Sequence, residues 1–205
     1  MSNVNGYAGT LDVTAGQGEY NAFAFICRSL INKICTMQPV LVMAVGASTV
    51  DVQPMVAQID GDGTPTPHGI IHGLPYQVLQ GGTSAIIMPP IVGDIGFAVF
   101  ASHDISSVKA NKAPSNPGSR RRHDWADGVY IGGILNGVPT EFIQFANGGG
   151  ITITTPGALT INAPNVAINA NIQTTGTLTN NGHSVGSTHE HSGVTPGSGN
   201  TGTPL

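Results

Sequence analysis

The chain has 205 residues, enough for one domain of ordinary size or two small ones. Charged residues make up only 9% of it, against a usual share of about 25% in soluble proteins, and the formal net charge is -4. This composition excludes the basic surface that nucleic acid or an anionic membrane requires, and no apolar run reaches the ~18 residues of a membrane-spanning helix.

Residues 1–36 form the first predicted segment. Its beginning lacks a basic stretch followed by an apolar run and a cleavage site, so we expect synthesis in a cytosol without a secretory signal. In residues 19–36 apolar side chains recur every three or four positions, which predicts an amphipathic helix with Asn21 as a candidate cap. We expect this stripe to pack on the following domain, and Cys27 and Cys35 to stay reduced.

Residues 37–105 change to short β-rich runs separated by glycine and proline. Five such runs predict a small barrel or sandwich, and the five-stranded barrel of the oligonucleotide/oligosaccharide-binding (OB) type is the nearest architecture. Single-stranded nucleic acid needs a positive groove, and residues 39–103 contain no lysine or arginine. We therefore predict a structural barrel. The runs are residues 40–45, 49–59, 69–80, 84–88 and 96–101.

Residues 106–145 are predicted to be a linker followed by further strands. The stretch up to Trp125 is rich in serine, asparagine and proline, which is typical of an exposed loop. It contains three consecutive arginines, Arg120, Arg121 and Arg122, which favour either a solvated surface or an ion-pair contact with another subunit over a phosphate site.

Residues 146–182 carry the most informative pattern. Apolar residues alternate with threonine, asparagine and alanine, which predicts strands with one apolar face. The turn dipeptides Pro156-Gly157 and Pro164-Asn165 lie eight residues apart, so the strand and turn recur as a short internal repeat.

A unit this short cannot enclose a core within one chain, because each strand offers only two or three apolar side chains. It must stack on other units, and a single-chain solenoid would need more coils than about thirty residues provide. We therefore predict an intertwined β-helical or prism-like shaft built by an obligate homotrimer, in which closure also removes free strand edges.

Residues 183–205 form the predicted apex, and His189 and His191 are its candidate metal ligands. Residues two apart on a strand point to the same face, so both imidazoles can reach one point. Threefold symmetry raises two nitrogens to six, a complete octahedral shell. Such a shell disfavours zinc, which prefers four ligands, and imidazole suits iron, nickel or copper. Iron, one ion per trimer in a structural role, is our first choice.

The chain resembles a known family, the baseplate central spike proteins of contractile-tailed phages and tailocins. The resemblance rests on the sequence STHEHSG at residues 187–193 with its Gly/Pro/Thr tail, the β-repeat before it, and RRHDWADGVY at residues 121–130. It implies a barrel that seats the trimer on a baseplate hub protein, a β-helical shaft and a pointed apex that holds iron. By the same resemblance the protein is assembled in the host cytoplasm, resides in the virion tail baseplate and pierces the host outer membrane.

Three other functions remain open from the sequence. A metal-dependent hydrolase could use Glu190 beside the two histidines, but on a strand this carboxylate points away from them, and the tail offers no apolar wall for a substrate pocket. A trimeric adhesin or tail-fibre tip would show aromatic residues near its end, and none follows Phe145. A secretion-system tip shares every predicted feature. The prediction is thus a non-enzymatic protein without a small-molecule substrate or nucleic-acid partner.

Overall fold

The computed structural model describes residues 18–59, 63–186, 193 and 197. The chain divides into two compact units, residues 1–139 and 140–205. The first contains two helices, a curled five-stranded sheet and two small hairpins, and the second contains two hairpins.

The first unit is built mainly of antiparallel strands. The elements are α1 (Glu19–Ile31), β1 (Met37–Val45), β2 (Thr49–Pro54), β3 (Gln58–Ile59), β4 (Pro65–Thr66), β5 (Ile71–Pro75), β6 (Leu79–Gly81), β7 (Ser84–Ile86), β8 (Ile95–Phe100), α2 (Ser106–Asn111), a 3₁₀ turn (Trp125–Asp127) and β9 (Gly128–Gly132). The five-stranded sheet has the order β5-β2-β1-β8-β9, and β3-β4 and β6-β7 form the separate hairpins.

The two outer strands of the sheet curl towards each other. The N–H of Gln77, just after β5, donates to the carbonyl of Tyr130 in β9 at 2.8 Å, and Tyr76 forms a parallel bridge with Tyr130. A five-stranded, partly open barrel results, which confirms the prediction of an all-β N-terminal barrel.

The barrel core follows from the two-residue period of its strands. In β2 and β8 every second residue is buried, so one face of each strand points inward. The buried set is apolar and drawn from all five strands: Cys35, Val40, Val42, Val50, Val52, Ile71, Leu74, Ala98, Phe100 and Tyr130. The apolar residues of the sheet thus build the core without any contribution from α1.

The fifth strand of the barrel lies outside the segment for which the barrel was predicted. β9 pairs with β8 along its whole length, from Gly96 opposite Gly132 to Phe100 opposite Gly128. The predicted linker between them contains α2 and the 3₁₀ turn. The segment after residue 105 is therefore folded back onto the barrel, because it must deliver β9 to the open edge of β8.

The helix α1 is shorter than predicted and differs in its contacts. It ends at Ile31, its N-cap is Gly18 and Asn21 lies inside the first turn, so the proposed cap was wrong. None of its residues, all of which the structure describes, is buried. The expected packing of its apolar stripe on the barrel is therefore also wrong. Both cysteines are free thiols, and no helix among the described residues is long and apolar enough to cross a membrane.

The second unit contains four short strands. β10 (Phe142–Ala146) pairs with β11 (Gly150–Thr154), and β12 (Thr179–Asn180) pairs with β13 (His183–Ser184). Residues 155–178 between the two hairpins adopt no regular secondary structure.

Candidate self-association surface

The β10–β11 hairpin gathers four apolar side chains on one face. Ile143 lies opposite Ile153, and Phe145 lies opposite Ile151. Directly opposed residues and residues two apart on one strand share a face, so all four project from the same side. Each is between 55% and 74% exposed. The alternation of isoleucine and threonine in residues 151–153 thus corresponds to an apolar face of β11. Pairing with β10 raises the number of large apolar side chains on that face from two to four.

The repeat continues this exposed character along the chain. Its five apolar side chains are all more than half exposed: Leu159, Ile161, Val166, Ile168 and Ile172. Residues 142–186 contain no aspartate, glutamate, lysine or arginine, so the surface is both apolar and uncharged. Exposed apolar surface of this kind is uncommon in monomeric soluble proteins. These five residues and the four of the hairpin, together the apolar face of the second unit, are the best candidate interaction surface.

The edges of the hairpin are a second feature of this surface. β10 and β11 form a sheet of only two strands, so each has an outer edge without a β-partner among the described residues. Unpaired N–H and C=O groups at such an edge accept a further strand from another chain. A strand from another chain can therefore pair with an edge of the hairpin while the same chain covers its apolar face.

The predicted metal ligands His189 and His191 lie outside the described residues. The chain before them turns back in the β12–β13 hairpin, where Asn181 and Gly182 both have positive φ, 49° and 80°. This is the backbone of a two-residue type I′ turn, which favours the dipeptide Asn-Gly. The sequence signal was present and was overlooked. His183 is exposed on β13, within six residues of His189.

Arg121 has a role that the arginine run did not predict. Its guanidinium binds Asp127 through two bonds of 2.8 and 2.9 Å and contacts Asp104 at 3.0 Å. Asp127 and Asp104 are 1% and 5% exposed. The neighbouring Arg120 and Arg122 point to solvent. Arg121 is therefore committed within its own chain, and the expectation of a solvated or intersubunit cluster was wrong for this residue.

The carboxylates around Arg121 also fix the backbone that leads into β9. Asp127 accepts from the N–H of Ile105, and Asp104 accepts from the N–H of Ser106 and the hydroxyl of Ser119. Hydrogen bonds from Ser106 and Ser119, together with the charge of Arg121, hold the pKa of Asp104 well below its usual range. This network secures the folded-back segment against the barrel.

The lowered pKa of Asp104 predicts a pH dependence of stability. A carboxyl group with a depressed folded-state pKa stabilises the fold above its unfolded value of about 3.9, and the contribution is lost as the pH falls towards the folded-state value. We expect Asp104→Asn to lower the free energy of unfolding at neutral pH and to flatten its decline between about pH 5 and pH 2. Denaturant titrations at several pH values, followed by the fluorescence of the single tryptophan, Trp125, measure this. If the free energy of unfolding fell with pH by the same amount in both proteins, the stabilising role of the Asp104 carboxylate would be contradicted.

No group of three or more histidine, cysteine, aspartate or glutamate side chains suited to a metal occurs in residues 18–59 and 63–186. The histidine nearest a carboxylate there is His72, whose Nδ1 lies 2.7 Å from Asp51. That pair lowers the pKa of Asp51, mainly through the hydrogen bond with His72 and a second one from the N–H of Gly73. It joins β2 to β5 and is a structural contact.

Comparison with known proteins gives one finding. Residues 39–133 match the family model described as the phage protein Gp138 N-terminal domain. The matched range covers nearly the whole five-stranded barrel, including β9, and ends before the second unit. No curated protein matches the chain. The match supports a phage structural protein associated with the virion, and it favours a role without catalysis.

Proposed function

We propose that this protein is the central spike of a contractile phage tail. Three copies form the spike, the barrels seat it on the baseplate hub protein, and the second units intertwine into a shaft. On sheath contraction the spike is pushed through the host outer membrane. Its action is mechanical, so it needs neither a substrate pocket nor an exchangeable metal ligand.

The observation that carries this proposal is the exposed apolar face of the second unit. Nine apolar side chains stand open to water in a single chain, on a segment without charged residues. Each side chain is already partly covered in the single chain, so burying its exposed part would stabilise the assembly by roughly 1–2 kcal/mol. Identical copies are the simplest partner, because each brings the same apolar face and the same free strand edges. The match of the barrel to a phage protein domain supports a tail component over a cellular adhesin.

The apex is proposed to hold one iron ion on the threefold axis. His189 and His191 supply two imidazoles per chain, and three chains supply the six nitrogens of an octahedral shell. Bound iron would crosslink the three chains where the apolar core is smallest. A full shell leaves no position for a reacting ligand, so the ion has a structural role.

Mass measurement combined with elemental analysis tests this proposal. We expect a mass three times that of the 20.9 kDa chain, and one iron ion for every three chains. The double variant His189→Ala/His191→Ala should lose the iron and remain a trimer, because the apolar face is independent of the apex. His183→Ala is the matched control and should retain the iron.

Three results would count against it. A monomeric protein would remove the basis of the shaft and the iron site together. One metal ion per chain would instead favour a site complete within each chain, as in a metal-dependent enzyme. Dissociation of the double histidine variant into monomers would show that the metal, and not the apolar face, holds the copies together.

A further inference from the structure

The helix α1 presents a second apolar surface. Five large side chains of the helix are between 54% and 82% exposed: Tyr20, Phe23, Ile26, Leu30 and Ile31. Ile34, just beyond the helix, is 47% exposed. Six other residues of the helix are half-buried: Asn21, Ala22, Ala24, Phe25, Cys27 and Ser29. An amphipathic helix normally turns its apolar stripe inward, so this helix is oriented for a partner outside its own barrel.

The spacing of these residues identifies the kind of partner. Tyr20, Phe23, Cys27 and Leu30 follow one another at intervals of three, four and three residues. This is the spacing of the a and d positions of a heptad, the seam along which helices pack on one another. Ile26 and Ile31 lie on either side of the seam and widen it. A stripe of this width suits a helix that packs against more than one neighbour.

The size of the stripe approaches that of a stable contact. Six large side chains, each about half exposed or more and each with an area of roughly 150–250 Å², present on the order of 600–800 Å² of surface. A stable interface takes about 800 Å² from each partner. The six side chains are uncharged, and the one charge in the same row is Glu19 in the first turn. A complementary surface should therefore be apolar beyond that turn. Another copy of α1 meets that requirement.

We propose that α1 packs in parallel against α1 of two further copies of this chain, with Tyr20, Phe23, Cys27 and Leu30 along the shared seam. This inference rests on the trimer of the proposed function. A helix of 13 residues is about 20 Å long and too short to associate stably on its own. Three copies joined by their shafts hold the helices at an effective concentration near millimolar, which makes a weak contact persistent.

The two native cysteines make the arrangement measurable. Cys27 occupies a seam position, so its copies face one another across the bundle. A disulfide requires Cα atoms within about 7 Å, a separation that facing seam positions approach. Cys35 is buried in the barrel, and burial raises the pKa of its thiol, which lowers the fraction of reactive thiolate. Oxidative crosslinking should therefore proceed through Cys27 alone.

The test treats the full chain at low micromolar concentration with diamide, which accepts the two electrons and two protons released by two thiols. Each trimer can form one disulfide and leaves one chain single, so about two of every three chains should migrate as covalent dimers. Cys27→Ser should abolish the crosslink. The matched control Cys27→Ser/Ser29→Cys moves the thiol two positions along, roughly 200° around the helix, and should not crosslink.

The mass of the untreated protein tests the trimer, and the crosslinking tests the helix bundle, so failure of the bundle can be told apart from failure of the proposed function. A trimer that crosslinks through Cys27, and fails to do so through the thiol at position 29, supports the bundle. A trimer in which neither thiol crosslinks, or both do equally, overturns the bundle and leaves the spike intact. A monomer overturns both.

Discussion

Replacing Ile151 and Ile153 together with aspartate is expected to convert the trimer into monomers. Both side chains project from the apolar face of the β10–β11 hairpin. In three assembled copies the substitution would place six carboxylates in an apolar interior, and an unpaired buried charge costs several kcal/mol. Sedimentation or light scattering would then report a threefold lower mass. Iron should be lost as well, because the six imidazoles would no longer converge.

Thr152→Asp is the matched control for this experiment. Thr152 lies between the two isoleucines and points to the opposite side of β11, which the proposal leaves in water. This variant should remain trimeric and keep its iron. Dissociation of Thr152→Asp, or a trimer that survives the double isoleucine change, would show that the apolar face is not the contact between copies.

Gly96→Ala is expected to destabilise the barrel by about 1–3 kcal/mol through overpacking. A Cβ atom at Gly96 would lie 2.5 Å from the carbonyl oxygen of Ile131 and 2.5 Å from the ring of Tyr130. Neither neighbour can yield easily, because one is backbone of β9 and the other is a buried ring in the core. Denaturant unfolding followed by Trp125 fluorescence measures the loss, since this residue packs against Phe100 of the barrel with ring centroids 6.0 Å apart.

Gly137→Ala provides the comparison for Gly96. A Cβ atom at Gly137 meets no atom within 4 Å. The free energy of unfolding of this variant should therefore lie within about 0.5 kcal/mol of that of the parent protein. Equal stability of the Gly96 and Gly137 variants would mean that β8 and β9 separate enough to admit a side chain.

The strands and the apolar faces were largely predictable because their signal is local. The period of two that buries Val50 and Val52 in β2 is the same period that exposes Ile151 and Ile153 in β11. Hydrophobic periodicity shows which face of an element is apolar, but it does not show which surface that face packs on. The stripe of α1 was for this reason assigned to the barrel, whereas the structure leaves it in water.

The fifth strand and the role of Arg121 could not be predicted in the same way. Further strands were predicted after the linker in residues 106–145, but the pairing of β9 with β8 depends on a turn of the chain through α2 and on contacts distant in sequence. Arg121 lies between two other arginines, and a run of like charges is typical of a solvated surface. Its partner Asp104 is seventeen positions earlier, so no short-range sequence pattern could predict the ion pair.

The late position of β9 in the chain governs how the barrel can be synthesised. β8 begins at Ile95 and β9 at Gly128, so at about 5–20 residues per second the ribosome adds β9 roughly 2–7 seconds after β8. During that interval β8 has no neighbour on its outer side, and its sequence, IGFAVF, contains no charge to discourage other nascent chains from pairing with it. The species most prone to mispairing in a producing cell is therefore the growing polypeptide, and this exposure ends when β9 leaves the exit tunnel and pairs with β8.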